Sequence, residues 1–526
     1  MSILDYSIVA VFFAAMIGMG FYFKKSQAAT DYFLGGRKFG WFSLCLSAMA
    51  TQLSAVSFIS APAFVGMRPG GGMQWLTFEF GVPLAMILLI GVFAPALYRS
   101  GVVSIYAFLE TRLGHSSRLL LGAVFVLSRS FATGVTIYAV CLALSWILGM
   151  PFLVTMGCLG IVTVVYSLEG GMKAVVYSEV AQMIIKVMGI ATIIGLGLHY
   201  LGGWSEFLTH VDHARLKVVD FGNLGFDGRE YGFIPMVCGG IFLYCSYYGT
   251  DQTQAQRILC ARDEPTVAKM LLFNGLLRFP ITLSYCMGGL ILGAFARSNP
   301  EFAHAIPASR PDLMIPVFIT HYLPHGVVGI LVVAIIAAGM STFSSNLNSL
   351  SAVAMEDFIS PNFAWARGNY VLCSKLVTLA WGVVTMFQAM VAGQIAATVI
   401  EAINKISSLF YGPILAMFVL AIWPRRVSAS AANLGVVCGV IMNLVLWLCF
   451  KNVFWFWWNA TGAVTTWVVA GTASIFLPRP AEAKAGASSP TLAPLTTASV
   501  IAAPAILLTA WFIAMVAVSI YFPRFF

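Results

Sequence analysis

Charge is what this sequence has least of. Only 9% of its 526 residues are Asp, Glu, Lys or Arg, where soluble domains carry about 25%. Beside 60% hydrophobic residues, that scarcity excludes a soluble globular protein, a disordered or collagen-like chain, and a nucleic-acid-binding surface. Histidine is rare as well, with 7 in the whole chain. His321 and His325 flank Pro324 in a stretch that reads as an outer loop, and His210 and His213 read as loop residues. A histidine pair without a carboxylate companion is a weak catalytic signal, so no enzyme is expected. The 10 cysteines contain no C-x-x-C pair and lie almost all in apolar runs. They read as small buried hydrophobes, with neither a disulfide framework nor a metal cluster. The net charge of +9 comes from 29 Lys and Arg against 20 Asp and Glu, an excess that positive-inside loops supply without an anionic partner.

Long apolar runs are what the chain has in quantity. A bilayer core takes about 20 predominantly apolar residues per helix. Fourteen runs qualify, at roughly 5–23, 41–66, 75–97, 119–147, 150–168, 175–200, 231–255, 270–296, 313–356, 370–391, 395–423, 429–450, 454–477 and 499–521. A short amphipathic piece at 314–323 is expected to precede the true span of the ninth run. Without strand-like alternation, backbone polar groups in lipid must be satisfied within helices. The expected fold class is an all-α polytopic membrane protein in the plasma (inner) membrane. An outside N-terminus puts sixteen Lys and Arg on the inner side, Arg118 and Arg257 among them, and eight on the outer side, as the positive-inside rule prefers. Lys24 and Lys25 follow the first run instead of preceding it, which argues against a cleavable signal peptide. Residues 478–494 read as a flexible inner linker, and 201–230 as the longest outer loop.

Within the apolar runs, Glu79, Arg129, Glu179, Lys186, Asp251, Arg278, Glu401 and Lys405 are the informative charges. Each costs about 2.5–3.5 kcal/mol near the bilayer centre on insertion scales, so each needs a partner or a wet cavity. Any single one fits a structural ion pair as well as a site; the set as a whole points to a polar pathway. The run LVVAIIAAGMSTFSSNLNS places Ser341, Thr342, Ser344 and Ser345 at helical spacing. Their oxygens suit a hard cation such as sodium, and they equally suit close packing between membrane helices. Polar breaks interrupt the second run at 50–54 and the seventh at 244–252. Breaks of this kind are tolerated only against protein or a water-filled cavity. Two of them, five spans apart, are what an inverted-repeat transporter requires.

At these residues the chain resembles the sodium/solute symporter family of sugar, proline, pantothenate, sialic acid and monocarboxylate carriers. The resemblance runs from about Asp31 to Arg426. Its blocks are DYFLGGRKFGWFSLCLSAMATQLSAVSF, LEGGMKAVVYSEVAQ, TDQTQAQR, AAGMSTFSSNLNS followed by MEDF, and YGPILAMFVLAIWPRR. It implies a LeuT-type fold with two inverted five-helix repeats, 31–200 and 231–426, joined across the outer loop 201–230. The helix in 1–30 and those in 427–526 would be additions.

The resemblance also implies site residues. The family's common sodium is held by positions matching Ala50, Leu53, Ala338, Ser341 and Thr342. Some members bind a second sodium through Ser341, Ser344 and Ser345 equivalents plus an aspartate, and here that acid is Glu179, one methylene longer. The solute cavity of relatives is lined by positions matching Gln52, Ser54, Ser57, Glu79, Tyr244, Tyr247 and Asn404. Glu79 stands where sugar carriers place a hydroxyl-binding glutamate, and Arg278 matches a basic residue near the sugar of one relative. The arginine that binds a carboxylate in a sialic acid carrier falls on Ala132 here, with Arg129 three residues earlier. Lys405 joins Glu401 and Asn404 in the tenth core helix, placed to pair a solute carboxylate or to neutralise Glu79 or Glu401. The expected function is sodium-coupled symport of a small carboxylate or other anion, with a sugar or amino acid as the alternative. A channel or membrane sensor is the alternative of another class. Expected partners are the solute, sodium and the lipid bilayer, with no nucleic acid and no obligatory protein partner.

Overall fold

The computed structural model describes residues 1–24, 29–54, 56–392, 399–422, 427–477 and 498–526, without the side chains of 29–30, 56, 399–404 and 498–500. Among them helix predominates, and there is no strand beyond an isolated bridge between Phe39 and Ala261. In chain order the main helices are α1 (Ile3–Phe23), α2 (Trp41–Gln52), α3 (Ala61–Gly66), α4 (Met73–Ser100), α5 (Ile105–Arg112) and α6 (His115–Leu148). Then come α7 (Phe152–Leu201), α8 (Phe233–Gly249), α9 (Gln252–Cys260), α10 (Glu264–Ser298), α11 (Met314–Tyr322) and α12 (Val327–Val353). The last five are α13 (Tyr370–Ala392), α14 (Val399–Ile422), α15 (Ala429–Cys449), α16 (Trp457–Phe476) and α17 (Ala498–Tyr521).

Ten helices among the described residues are long and apolar enough to cross a bilayer, or eleven when the bent pair α2–α3 counts as one span. The difference from the fourteen expected runs has physical causes. The runs 150–168 and 175–200 form one 50-residue helical element interrupted at Gly171, whose φ of 53° and ψ of −151° break the helix. Only glycine enters that region without a Cβ penalty. The run 231–255 is divided at Thr250 and Asp251, which leaves α8 with 17 residues. Asp251 caps the second piece by accepting from the Thr253 amide at 2.9 Å, as N-cap aspartates do.

α12 is the axis of the bundle: 83% of its apolar window is buried, and it packs on α1, α6, α7 and α13. At the periphery, Leu376, Leu379, Val383, Phe387 and Met390 of α13 are exposed on one helix face, the dress of a lipid-facing surface. Asp5 ties α1 to the start of α12. Its carboxylate accepts from Ser2 of its own capping box and from the amides of Gly326 at 2.7 Å and Gly329 at 2.9 Å. Those amides have no helical acceptor, being at a helix N-terminus. α3 meets α10 through a seam of small residues. A Cβ on Gly289 would lie 2.5 Å from the Pro62 carbonyl oxygen, and one on Gly293 would lie 2.6 Å from that of Gly66. Close approach of this kind is how membrane helices gain packing without a hydrophobic drive.

In the first turn of α6, Arg118 bridges Glu110 of α5 at 2.5 Å and Asp357, just past α12, at 2.7 Å, while Ser104 donates to the same aspartate at 2.6 Å. At the start of α10, hydrogen bonds from Thr266 hold the Asp263 carboxyl below the usual carboxylate range.

Candidate cation and solute sites

The first site begins with the break after α2. Leu53 leaves helical geometry at ψ 74°, and the Ser54 amide turns to the Gln52 carbonyl. The Ala50 carbonyl thereby loses its helical donor. α12 crosses at this point and brings its hydroxyls. Ser341 Oγ donates to the Ala50 carbonyl at 2.9 Å and to the Ala338 carbonyl at 3.3 Å. Thr342 Oγ1 donates to the carbonyls of Thr51 at 3.0 Å and Ala338 at 3.4 Å. Ala50, Leu53, Ala338, Ser341 and Thr342 are thus brought together by the structure.

What fills the space between them comes from α7. The Lys186 ammonium donates to the Ala50 carbonyl at 2.6 Å, the Leu53 carbonyl at 2.9 Å and Ser341 Oγ at 2.9 Å. Lys186 has 0% exposure. Three acceptors match the three donors of an ammonium. With Lys186 in this position the donor set does not fit a sodium ion as well.

The second cation position follows the same rule. Glu179, seven residues before Lys186 on α7, accepts from Thr51 Oγ1 at 3.1 Å and from Ser47 and Ser345. It also pairs with Arg257, whose Nη2 lies 3.0 and 2.9 Å from its two oxygens. Arg257 further reaches Ser47, Thr51, Ser345 and the Thr253 carbonyl. Ser344 turns instead to the Ser341 carbonyl at 3.2 Å. Arg257, expected on the inner side, is not a loop residue: α9 is buried along its whole length, Arg257 included. Its alternating Gln252, Gln254 and Gln256 were the available sign, since such polar side chains in a packed helix need partners. Gln252 donates to the Val103 carbonyl at 2.8 Å, and Gln256 to Asn348 at 2.8 Å and the Phe33 carbonyl at 2.7 Å.

The residues expected to line one solute cavity fall around two spaces. The larger, about 410 Å³ with its solvent-open part counted, lies between α6, the break at Asp251 and α14, and is walled by Arg129, Ser128, Tyr106, Ser246, Asp251 and Tyr411 among others. Arg129 pairs with Asp251 and donates to Tyr411 Oη at 3.2 Å. Tyr247 packs edge-on against Tyr411, with ring centroids 6.3 Å apart, and accepts from Gln254 at 3.0 Å. Lys405 immediately precedes Ile406 and Ser407 of this wall. Glu401 and Asn404 lie outside the described side chains.

The smaller space, about 250 Å³, is walled by Leu53, Ser57, Arg278, Thr282 and Tyr285. Here Glu79 is already engaged: Arg278 grips both its oxygens at 2.8 and 2.9 Å, and Thr282 donates to one at 2.9 Å. Tyr248 Oη lies within hydrogen-bond distance of both the Gln52 and the Asn274 side-chain amides, the latter at 2.8 Å. Tyr244 is buried, its ring 6.5 Å from that of Tyr248, and Ser54 is half-buried at the break.

The sodium-coupled monocarboxylate transporter 2 of Bos taurus is 29% identical over 450 residues, spanning 84% of this chain and 71% of its own length. The sodium/iodide cotransporter of Homo sapiens is 28% identical over 450 residues, spanning 84% of this chain and 69% of its own. Among solved structures, a substrate-bound, outward-open sodium-coupled sialic acid symporter superposes with a TM-score of 0.82 at 22% identity, covering 91% of this chain and 99% of that one. Mhp1, a nucleobase-cation-symport-1 family transporter in a closed conformation, gives 0.53 at 15% identity, covering 84% and 93%. These likenesses assign the fold to the LeuT-like transporters. The model of the sodium:solute symporter family matches residues 32–439, which is most of the chain; the protein belongs to that family.

Proposed function

We propose that this symporter imports a small monovalent anion, a monocarboxylate first among them, with sodium and by alternating access. Family membership makes the chain a carrier and not an enzyme. The observation that carries the choice of solute is Arg129, a guanidinium on the wall of the larger space. Such a group grips a carboxylate through two parallel hydrogen bonds. The hydroxyls of Ser128, Ser246 and Ser407 and the rings of Phe125 and Tyr411 around it suit an acid of a few carbons. The two relatives named above are named for anions of this class, a monocarboxylate and iodide.

Asp251 holds the guanidinium in the absence of solute, and a solute carboxylate would take its place. Gln52, Tyr247, Asn404 and Lys405 would complete the larger site, while Ser54, Ser57, Glu79 and Tyr244 would border the passage leading to it. The architecture we favour has fourteen spans, with repeats at 31–200 and 231–426, an outer loop at 201–230, additions at 1–30 and 427–526, and the N-terminus outside the plasma membrane.

A neutral sugar or amino acid is the second reading. It is favoured by one fact: Arg129 and Arg278 each already have a carboxylate partner. Uptake of labelled pyruvate, iodide and glucose into proteoliposomes under an inward sodium gradient separates the two. Accumulation of pyruvate that is lost in Arg129→Met supports the anion. Accumulation of glucose, with neither anion moved, would reject it.

A further inference from the structure

Sodium and a primary ammonium ask for the same thing, a small shell of oxygen lone pairs with no donor among them. At the break after α2 that shell is built from two freed backbone carbonyls, Ala50 and Leu53, and one hydroxyl, Ser341. All three are engaged by the Lys186 ammonium. The remaining oxygens of the set are turned to each other, Thr342 donating to the Ala338 carbonyl. The charge around the set points the same way. Within this buried cluster Lys186 and Arg257 bring two positive charges against the single carboxylate of Glu179. A further cation would add to an existing positive excess, in a place where water cannot screen it.

We propose that the Lys186 ammonium is a tethered cation occupying the sodium position between α2 and α12, so that sodium enters only by displacing it. The two exclude one another at the same oxygens. A tethered group keeps its local concentration whatever the solution contains, so the position stays filled when sodium is scarce. The oxygen shell, and with it the contact between the broken helix and α12, then holds together without a bound ion. The inference deepens the symport reading and rests on it only for the identity of the coupling ion.

The test needs no solute, so its failure is separate from a failure of the pyruvate assay. Purified full-length protein is titrated with sodium chloride against choline chloride, reading thermal stability and binding of radioactive sodium. In Lys186→Met the half-effective sodium concentration should fall by about tenfold or more, through loss of the competitor. Lys186→Arg, which keeps a tethered cation, should keep a sodium midpoint no lower than that of the wild type. Ser341→Ala placed on Lys186→Met should remove the gained response, tying it to these oxygens. An unchanged sodium midpoint in Lys186→Met, or a gain that survives Ser341→Ala, overturns the proposal. Should Lys186→Met fail to fold, the wild-type protein decides the matter by cryo-electron microscopy without sodium and at saturating sodium. The ammonium is expected to leave Ala50 and Leu53 when the ion arrives; an ion on those oxygens with Lys186 still in contact overturns the proposal.

Discussion

One Nη nitrogen of Arg257 lies 3.0 and 2.9 Å from the two oxygens of Glu179, and neither side chain has any exposed surface. Four helices meet through this pair, because Glu179 stands on α7, Arg257 on α9, and the hydroxyls that complete their shells belong to α2 and α12. Breaking a buried pair from one side leaves an uncompensated charge, at a cost of about 3–5 kcal/mol. Arg257→Leu should therefore melt well below the wild type in a detergent thermal scan. Arg257→Leu combined with Glu179→Leu should recover much of the loss. Equal melting of the single and double variants would show that the pair is not coupled.

Glu79 and Arg278 allow a similar cycle with a functional readout. Glu79→Gln should weaken the two-pronged grip of Arg278 and lower stability by roughly 1–3 kcal/mol, the range for a lost charge-assisted hydrogen bond. If the pair only borders the solute passage, uptake by the folded fraction of Glu79→Gln keeps its half-saturating solute concentration. A large rise in that concentration would place Glu79 in contact with the solute.

If Arg129 receives the solute as proposed, Asp251, its present partner, competes with the incoming anion. Asn in its place retains an oxygen to cap α9 through the Thr253 amide, so the fold should survive. Asp251→Asn should tighten pyruvate binding by about tenfold, which corresponds to about 1.4 kcal/mol. Weaker binding in Asp251→Asn, measured by calorimetry on purified protein, would count against an exchange of partners at Arg129.

The Asp5 carboxylate, fully buried, serves two helix starts at once. Asp5→Ala removes the acceptor of the Gly326 and Gly329 amides, for a loss of about 1–3 kcal/mol. Asp5→Asn should lose less. Hydrogen exchange at Gly326 and Gly329 reports the change directly, and protection unchanged in Asp5→Ala would refute the assignment.

The seam between α3 and α10 is tight enough to be tested with a single methyl group. Gly293→Ala places a Cβ against the Gly66 carbonyl, at 2.6 Å before any adjustment. Overpacking of this kind costs about 1–3 kcal/mol. Gly471→Ala, where nothing lies within 4 Å of the added carbon, is the matched control and should melt like the wild type.

Much of the fold is legible in the residues because lipid leaves the backbone few options. Apolar run length and the two polar breaks are enough to find the helices and their interruptions. The interruption at Gly171 is marked by Glu169 and Lys173 beside it; the number of spans is harder to read, since helix continues on both sides of that glycine. The meeting of Ser341 with Ala50 follows from the family motifs. The ammonium between them does not, because the partners of Lys186 include backbone carbonyls more than 130 residues away, which carry no side-chain signature. Arg257 was hidden for a different reason: a short polar helix after a break looks like a loop until its partners are known.

The interlocked glycines of α3 and α10 have a mechanical meaning. Two helices whose backbones touch cannot slide or roll independently, so the second half of the broken helix and α10 form one stiff lever. Any rocking that opens one face of the membrane and closes the other must be taken up at the break, where Leu53 and Ser54 already depart from the helix.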